Sequence, residues 1–307
     1  MATSGPRPEA PPAAAAPADP GYRAAGFALA FASSIGLGLA VAVARIAFEG
    51  GTDGQSVATV RAWFVVLLVG LWCTASGRGL RVDRRTWLHC LGLGTLLGYM
   101  FFGNIGAVKF IPVGVAALLF FVYPPLVAVF TATLDRRWPG LLRITAFLIA
   151  FGGLAVMLGV GFDRLDPIGV ALGLGAGVAA GVQITWTSRV MKGRDPLVVM
   201  FHMALTAAVV LSVAVPSITG VTLPVTTLGW IGSGAVILLQ GCSIPLYFAS
   251  IPRIGAETSA IINNLQPVTS IAAAFMLFGE AMTASQFAGG AMVIGGILLL
   301  QLAGRRR

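Results

Sequence analysis

Charge is what this chain has least of. Asp, Glu, Lys and Arg make up 10% of 307 residues, and only 11 residues are acidic. A soluble domain carries about a quarter charged residues, so 57% hydrophobic composition and a mean hydropathy of +0.90 exclude one and describe a polytopic membrane protein. Cysteine is almost as scarce. Cys73, Cys90 and Cys242 form no C-x-x-C pair and read as small buried hydrophobes. The two histidines, His89 and His202, lie too far apart for a local metal site. There is no H-E-x-x-H helix, no G-x-S-G, and no intramembrane aspartyl pair, so no catalytic residue, metal or cofactor is expected. No phosphate-binding loop occurs either, which excludes an ATP-driven pump. The net charge of +9 does not imply nucleic acid, because the bases sit in short loops between apolar runs.

What the chain does have is long apolar stretches. Spans of about 17–25 residues are expected at 23–48, 58–76, 86–106, 113–133, 141–160, 167–188, 197–215, 228–249, 258–278 and 286–303, giving an all-α architecture of ten transmembrane helices. Residues 1–21, rich in Pro and Ala, are expected to be a disordered tail. One side of the membrane collects most bases, among them Arg23, Arg78, Arg81, Arg84, Arg85, Arg143, Arg189, Lys192, Arg194 and Arg253. The other receives Lys109 and Arg164, with Glu49, Asp53, Asp163, Asp166 and Glu280. By the positive-inside rule both termini are cytoplasmic, in an inner or plasma membrane.

The ninth span, TSAIINNLQPVTSIAAAFMLFGE (258–280), carries Asn263, Asn264, Gln266 and Pro267 inside its apolar run. Side-chain amides and a proline at that depth need protein or water around them. The fourth span has Tyr123, Pro124 and Pro125 at the matching place. Pro124 and Pro267 are 143 residues apart (267 − 124), as are Gly152 and Gly295 (295 − 152) and Gly26 and Gly169 (169 − 26). Five spans per copy is an odd number, so the second copy enters from the opposite side: two inverted five-helix repeats, 22–160 and 161–307.

With the ten-span plan, the segment GAVKFIPVGVAALLFFVYPPLVAVF (106–130), the stretch from Ala249 through Pro267, Phe278-Gly279-Glu280 and Gly295-Gly296, the chain resembles the EamA-type permeases of the drug/metabolite transporter superfamily. The resemblance runs from about residue 24 to 303. It implies a permease that moves amino acids, related metabolites or amphiphilic drugs, mostly outward. One departure stands out: Arg136-Arg137 replaces the family's Gly-Glu after the fourth span.

Several polar residues in the spans are candidates for a solute cavity. Three amides within four positions cannot all face one neighbour, since successive helical residues turn by about 100°, so Asn263, Asn264 and Gln266 place at least one amide in the cavity. Phe121 and Tyr123, with Phe120, offer an aromatic wall opposite. Tyr99 and Asn104, Gln183 and Trp186, and Gln240, Ser243 and Tyr247 either complete the lining or bond neighbouring helices. Arg61, near the outer start of the second span, either meets an anionic group or snorkels to the surface. His202 either takes part in proton coupling or is structural. Arg45 and Glu49 are a local i, i+4 pair. The glycine stripes Gly173, Gly177, Gly181 and Gly94, Gly98 read as close helix packing.

The expected function is secondary transport of a small polar or amphiphilic metabolite by alternating access, in the lipid bilayer, with no nucleic-acid partner and room for a homodimer. A non-transporting membrane scaffold of degenerate permease fold, or a passive channel, are the alternatives.

Overall fold

The computed structural model describes residues 20–136, 140–159, 165–279 and 282–305. Most of the expected tail therefore lies outside the described residues, as do Arg137, Asp163, Arg164 and Glu280. The first half comprises α1 (Pro20–Glu49), α2 (Gly54–Ala75), α3 (Arg84–Ala107), α4 (Val113–Phe120), α5 (Tyr123–Asp135) and α6 (Leu141–Leu158). The second comprises α7 (Pro167–Val190), α8 (Pro196–Ile218), α9 (Thr227–Ile254), α10 (Ala256–Ile262), α11 (Leu265–Phe278) and α12 (Ala284–Arg305). Among the described residues there is no strand, and nine stretches are long and apolar enough to cross a membrane, with Ala284–Leu299 a shorter apolar tenth.

Helix starts use the few acids the chain has. Asp53, Asp83, Asp166 and Asp195 accept hydrogen bonds from backbone N–H groups at the starts of α2, α3, α7 and α8, and Thr226 does the same for α9. The Asp53 cap starts α2 four residues earlier than the apolar run predicts, which moves Arg61 deeper than expected.

The fourth and ninth spans are each two half-helices. A proline cannot donate to the carbonyl four residues back and clashes with it, so Pro124 and Pro125 release Phe120 and Phe121, and Pro267 releases Asn263. The breaks fall there: α4 stops at Phe120 and α5 starts at Tyr123, while α10 stops at Ile262 and α11 starts at Leu265. Pro245 and Pro252, by contrast, lie inside a continuous α9.

The halves interlock. α1 packs on α9 and α11, and its equivalent α7 packs on α3 and on α4 and α5; α2 meets α8, and α6 meets α12. All these principal pairings run between halves. Equivalent residues make equivalent contacts: a Cβ on Gly26 would lie 2.5 Å from Arg253 Cβ, and one on Gly169 would lie 2.8 Å from Phe110 Cβ. Arg253 and Phe110 are themselves 143 apart (253 − 110). The fold is thus two inverted five-helix repeats, held together by small residues that let backbones approach.

Candidate functional site

The two broken spans meet at the centre of the molecule. Asn263, at the break between α10 and α11, donates from Nδ2 to Tyr123 Oη at 2.7 Å across the interface of the halves. Ser34 of α1 lies 3.0 Å from the Ile262 carbonyl and 3.2 Å from Asn263 Oδ1, so one hydroxyl proton serves an end of α10 that Pro267 and the break leave open. Its counterpart in the second half is Gly177 of α7 (177 − 34 = 143). A Cβ on Gly177 would sit 2.6 Å from the Leu119 carbonyl and 2.9 Å from that of Phe120.

Position by position, the two breaks differ in chemistry. Phe120, Phe121 and Tyr123 correspond to Asn263, Asn264 and Gln266. The three rings cluster with centroids 5.4–6.0 Å apart, and Tyr123 is 2% exposed. Gln266 Oε1 stands 3.5 Å from Asn263 Nδ2. The Tyr247 hydroxyl of α9 faces that of Tyr123 without closing a hydrogen bond of good geometry. Asn264 Oδ1 is buried without a partner. Gln183, 0% exposed, donates to Thr187 Oγ1 at 3.1 Å and leaves Oε1 unpartnered. Buried polar atoms with open valences are uncommon in a packed interior, and Asn264 Oδ1 lies at the break between α10 and α11 itself.

Arg61 does not snorkel. Seven residues past the start of α2, it is about 10 Å along the helix, 6% exposed, with Nη1 bonded to Gln240 Oε1 of α9 and its guanidinium 4.2 Å from the Phe101 ring centroid. Nη2 is buried and has no partner. A charge at a helix centre costs about 2.5–3.5 kcal/mol on insertion scales, and less nearer the interface. Next to it is a cavity of about 20 Å³, lined by Leu97, Phe101, Met200, Ala204 and Ile244.

Other candidates are placed elsewhere. Tyr99 is 40% exposed, and its hydroxyl rests 2.5 Å from where a Cβ of Gly175 would be, in the seam between α3 and α7. Trp186 fills the same seam further along, edge-on to His89 at 5.6 Å. Asn104 is half-buried on α3. His202 is half-buried, its Nδ1 2.9 Å from the Val198 carbonyl one turn back. Ser243 bonds the Leu239 carbonyl at 2.6 Å, and its own carbonyl accepts from Ser33 at 2.8 Å, so it joins α1 to α9. Of the cysteines, Cys73 and Cys90 are buried but Cys242 is exposed, because its side of α9 faces away from the bundle. Sequence reasoning missed Ser34 and Phe101. A serine pair within an apolar first span is the one signal that pointed to the former.

The halves are also tied at both faces. On the face of the termini, three ion pairs of 2.7 Å cross between them: Arg78–Asp195, Arg143–Glu257 and Arg189–Asp135. On the opposite face, Thr222 donates from its hydroxyl to Asp53 and accepts from the Asp53 N–H at 2.9 Å, while Thr52 bonds its carbonyl at 2.9 Å. Burial alone would raise the Asp53 pKa, but hydrogen bonds from Thr222, Ser56 and Gln55 together hold it below the usual 3.8.

The family model of the EamA-like transporter family matches residues 24–159 and again 167–302. An uncharacterized inner membrane transporter of Salmonella typhimurium, YicL, is 25% identical over 204 residues, covering 62% of this chain and 65% of that protein. The match therefore spans less than two thirds of that relative's length. A crystal structure superposes with a TM-score of 0.75 at 19% identity, covering 91% of this chain and 98% of the other. At that identity the likeness concerns the fold alone. The family and the relative are those of a multi-pass membrane transporter and not of an enzyme.

Proposed function

Because the chain belongs to the EamA-like transporter family, we propose that it moves a small polar or amphiphilic metabolite, an amino acid or a related compound, out of the cell by alternating access, with both termini cytoplasmic. The observation that best supports this reading is the junction of the two broken spans, where Asn263 bonds Tyr123 across the halves. Breaks in the middle of a span expose backbone polar groups that lipid cannot satisfy, so they occur where a cavity forms. Amides from one half and aromatics from the other suit a solute with both a hydrogen-bonding and an apolar part. Ties at both faces allow the halves to part at one face while held at the other.

Purified protein in liposomes is expected to catalyse counterflow of labelled amino acids or related metabolites. Replacing Asn263, Asn264 and Gln266 together by Leu is expected to abolish that flux without changing insertion. Absence of transport for a broad set of such solutes, with protein correctly inserted, would falsify the reading. Conductance without counterflow would mark a channel instead.

A further inference from the structure

We propose that Arg61 holds a carboxylate of the transported solute, so that the substrate class is organic acids and amino acids with a free carboxylate. The inference rests on the transport reading above. Arg45, Arg78, Arg143 and Arg189 each meet a carboxylate oxygen at 2.7 Å. Arg61, much more deeply buried than these, is offered only the neutral amide of Gln240 and the face of Phe101. No ion pair to Asp or Glu forms at Arg61 among the described residues, and its Nη2 donates to nothing.

A guanidinium is always charged and presents a planar fork of donors matched to a carboxylate. Buried in a membrane span without an anion, it is an incomplete pair. The surroundings hold it ready rather than neutralise it. Phe101 stacks on one face and fixes the plane, as an aromatic ring does for a cation. Gln240 comes from α9 of the second half while Arg61 comes from α2 of the first, so a carboxylate at this point touches both halves. On binding, the carboxylate takes the place of the Gln240 carbonyl as acceptor, and the Gln240 Nε2 is then free to donate to it. The remainder of the solute lies toward Leu97, Met200, Ala204 and Ile244, an apolar lining suited to a hydrocarbon side chain. In the present closed form the space is about 20 Å³, roughly that of one water, so the solute enters only when the halves separate.

Thermal unfolding of the purified full chain in detergent tests this, because a ligand of the folded state raises apparent stability. The probes are phenylalanine against phenylalaninamide, leucine against leucinamide, and 3-phenylpropionate against 3-phenylpropionamide. The carboxylates are expected to raise the unfolding temperature, with the amides at least tenfold weaker; Arg61→Gln is expected to abolish the difference and Arg61→Lys to retain part of it. Equal binding of acids and amides by the wild type overturns the inference, whether or not the variants fold, and so does response to none of the acids. An acid shift of undiminished size in folded Arg61→Gln also overturns it. Counterflow separates this from the transport reading: flux that proceeds without regard to Arg61 leaves transport standing and removes the carboxylate site. Binding that depends on Arg61 with no flux does the reverse.

Discussion

Arg136 is the residue whose backbone least suits its side chain. It caps α5 with φ 50°, the one non-glycine residue with positive φ among the described residues, and its equivalent in the second half is Gly279 at φ 67° (279 − 136 = 143). Left-handed backbone strains a side chain with a Cβ. Arg136→Gly is therefore expected to stabilise the protein by about 0.5–1 kcal/mol, the relief of strain outweighing the added freedom of the unfolded chain. Arg136→Ala removes the charge but keeps the strain, so only the glycine variant should gain in a thermal unfolding comparison. Asp53 carries a second residue-level expectation. Since its folded pKa lies below 3.8, its contribution is complete above the unfolded value and disappears as pH falls through the folded one. Stability should decline on acidification below about pH 4, and Asp53→Ala should cost about 1 kcal/mol at neutral pH as a lost cap while flattening that decline.

Among the elements, the broken helices depend on what lies beside them. The stripe Gly173, Gly177 and Gly181 of α7 is the seat of α4 and α5: a Cβ on these residues would meet Leu119, the Leu119 and Phe120 carbonyls, and Leu126. Gly177→Val is expected to push α7 off the break, destabilising by about 1–3 kcal/mol as overpacking does and reducing counterflow. Gly234→Ala, where nothing lies within 4 Å, should be neutral or slightly stabilising in the same assays. Melting curves and flux of the two variants, compared side by side, decide the point. The location of both breaks was legible from Pro124, Pro125 and Pro267, because a missing N–H acts locally. The azimuth of each helix was not. Lipid and protein interior are equally apolar, so periodicity offers little contrast between them, and Tyr99 and Trp186 turn into a helix seam while Gln183 turns into the core. Arg61 was left open between a substrate anion and the membrane surface for a related reason. Its depth depends on where α2 starts, and the start is set by Asp53, a polar residue outside the apolar run.

For the whole molecule, the two faces are closed by different chemistry. The face of the termini is held by ion pairs between halves, and the opposite face by hydrogen bonds around Thr222 and Asp53. Partly exposed pairs contribute about 0.2–1 kcal/mol each, so three of them bias the closed form by roughly 0.6–3 kcal/mol, a factor of about 3–160 in population. Such ties are weak enough to open in a transport cycle yet strong enough, together, to set which face rests closed. Cys90 reports on this directly: it is buried in the seam between α3 and α8, with Sγ 3.8 Å from the Val199 carbonyl, so parting the halves on that face uncovers it. In protein with Cys73 and Cys242 replaced by Ala, the combined Arg78→Ala, Arg143→Ala and Arg189→Ala variant is expected to raise the rate of thiol modification at Cys90 severalfold. High salt should do the same to the unaltered pairs by screening them. Thr222→Val, which loosens the other face, should leave the rate unchanged or lower it. If the triple variant labels no faster than its parent, the ion pairs do not hold that face shut, and closure there rests on helix packing alone.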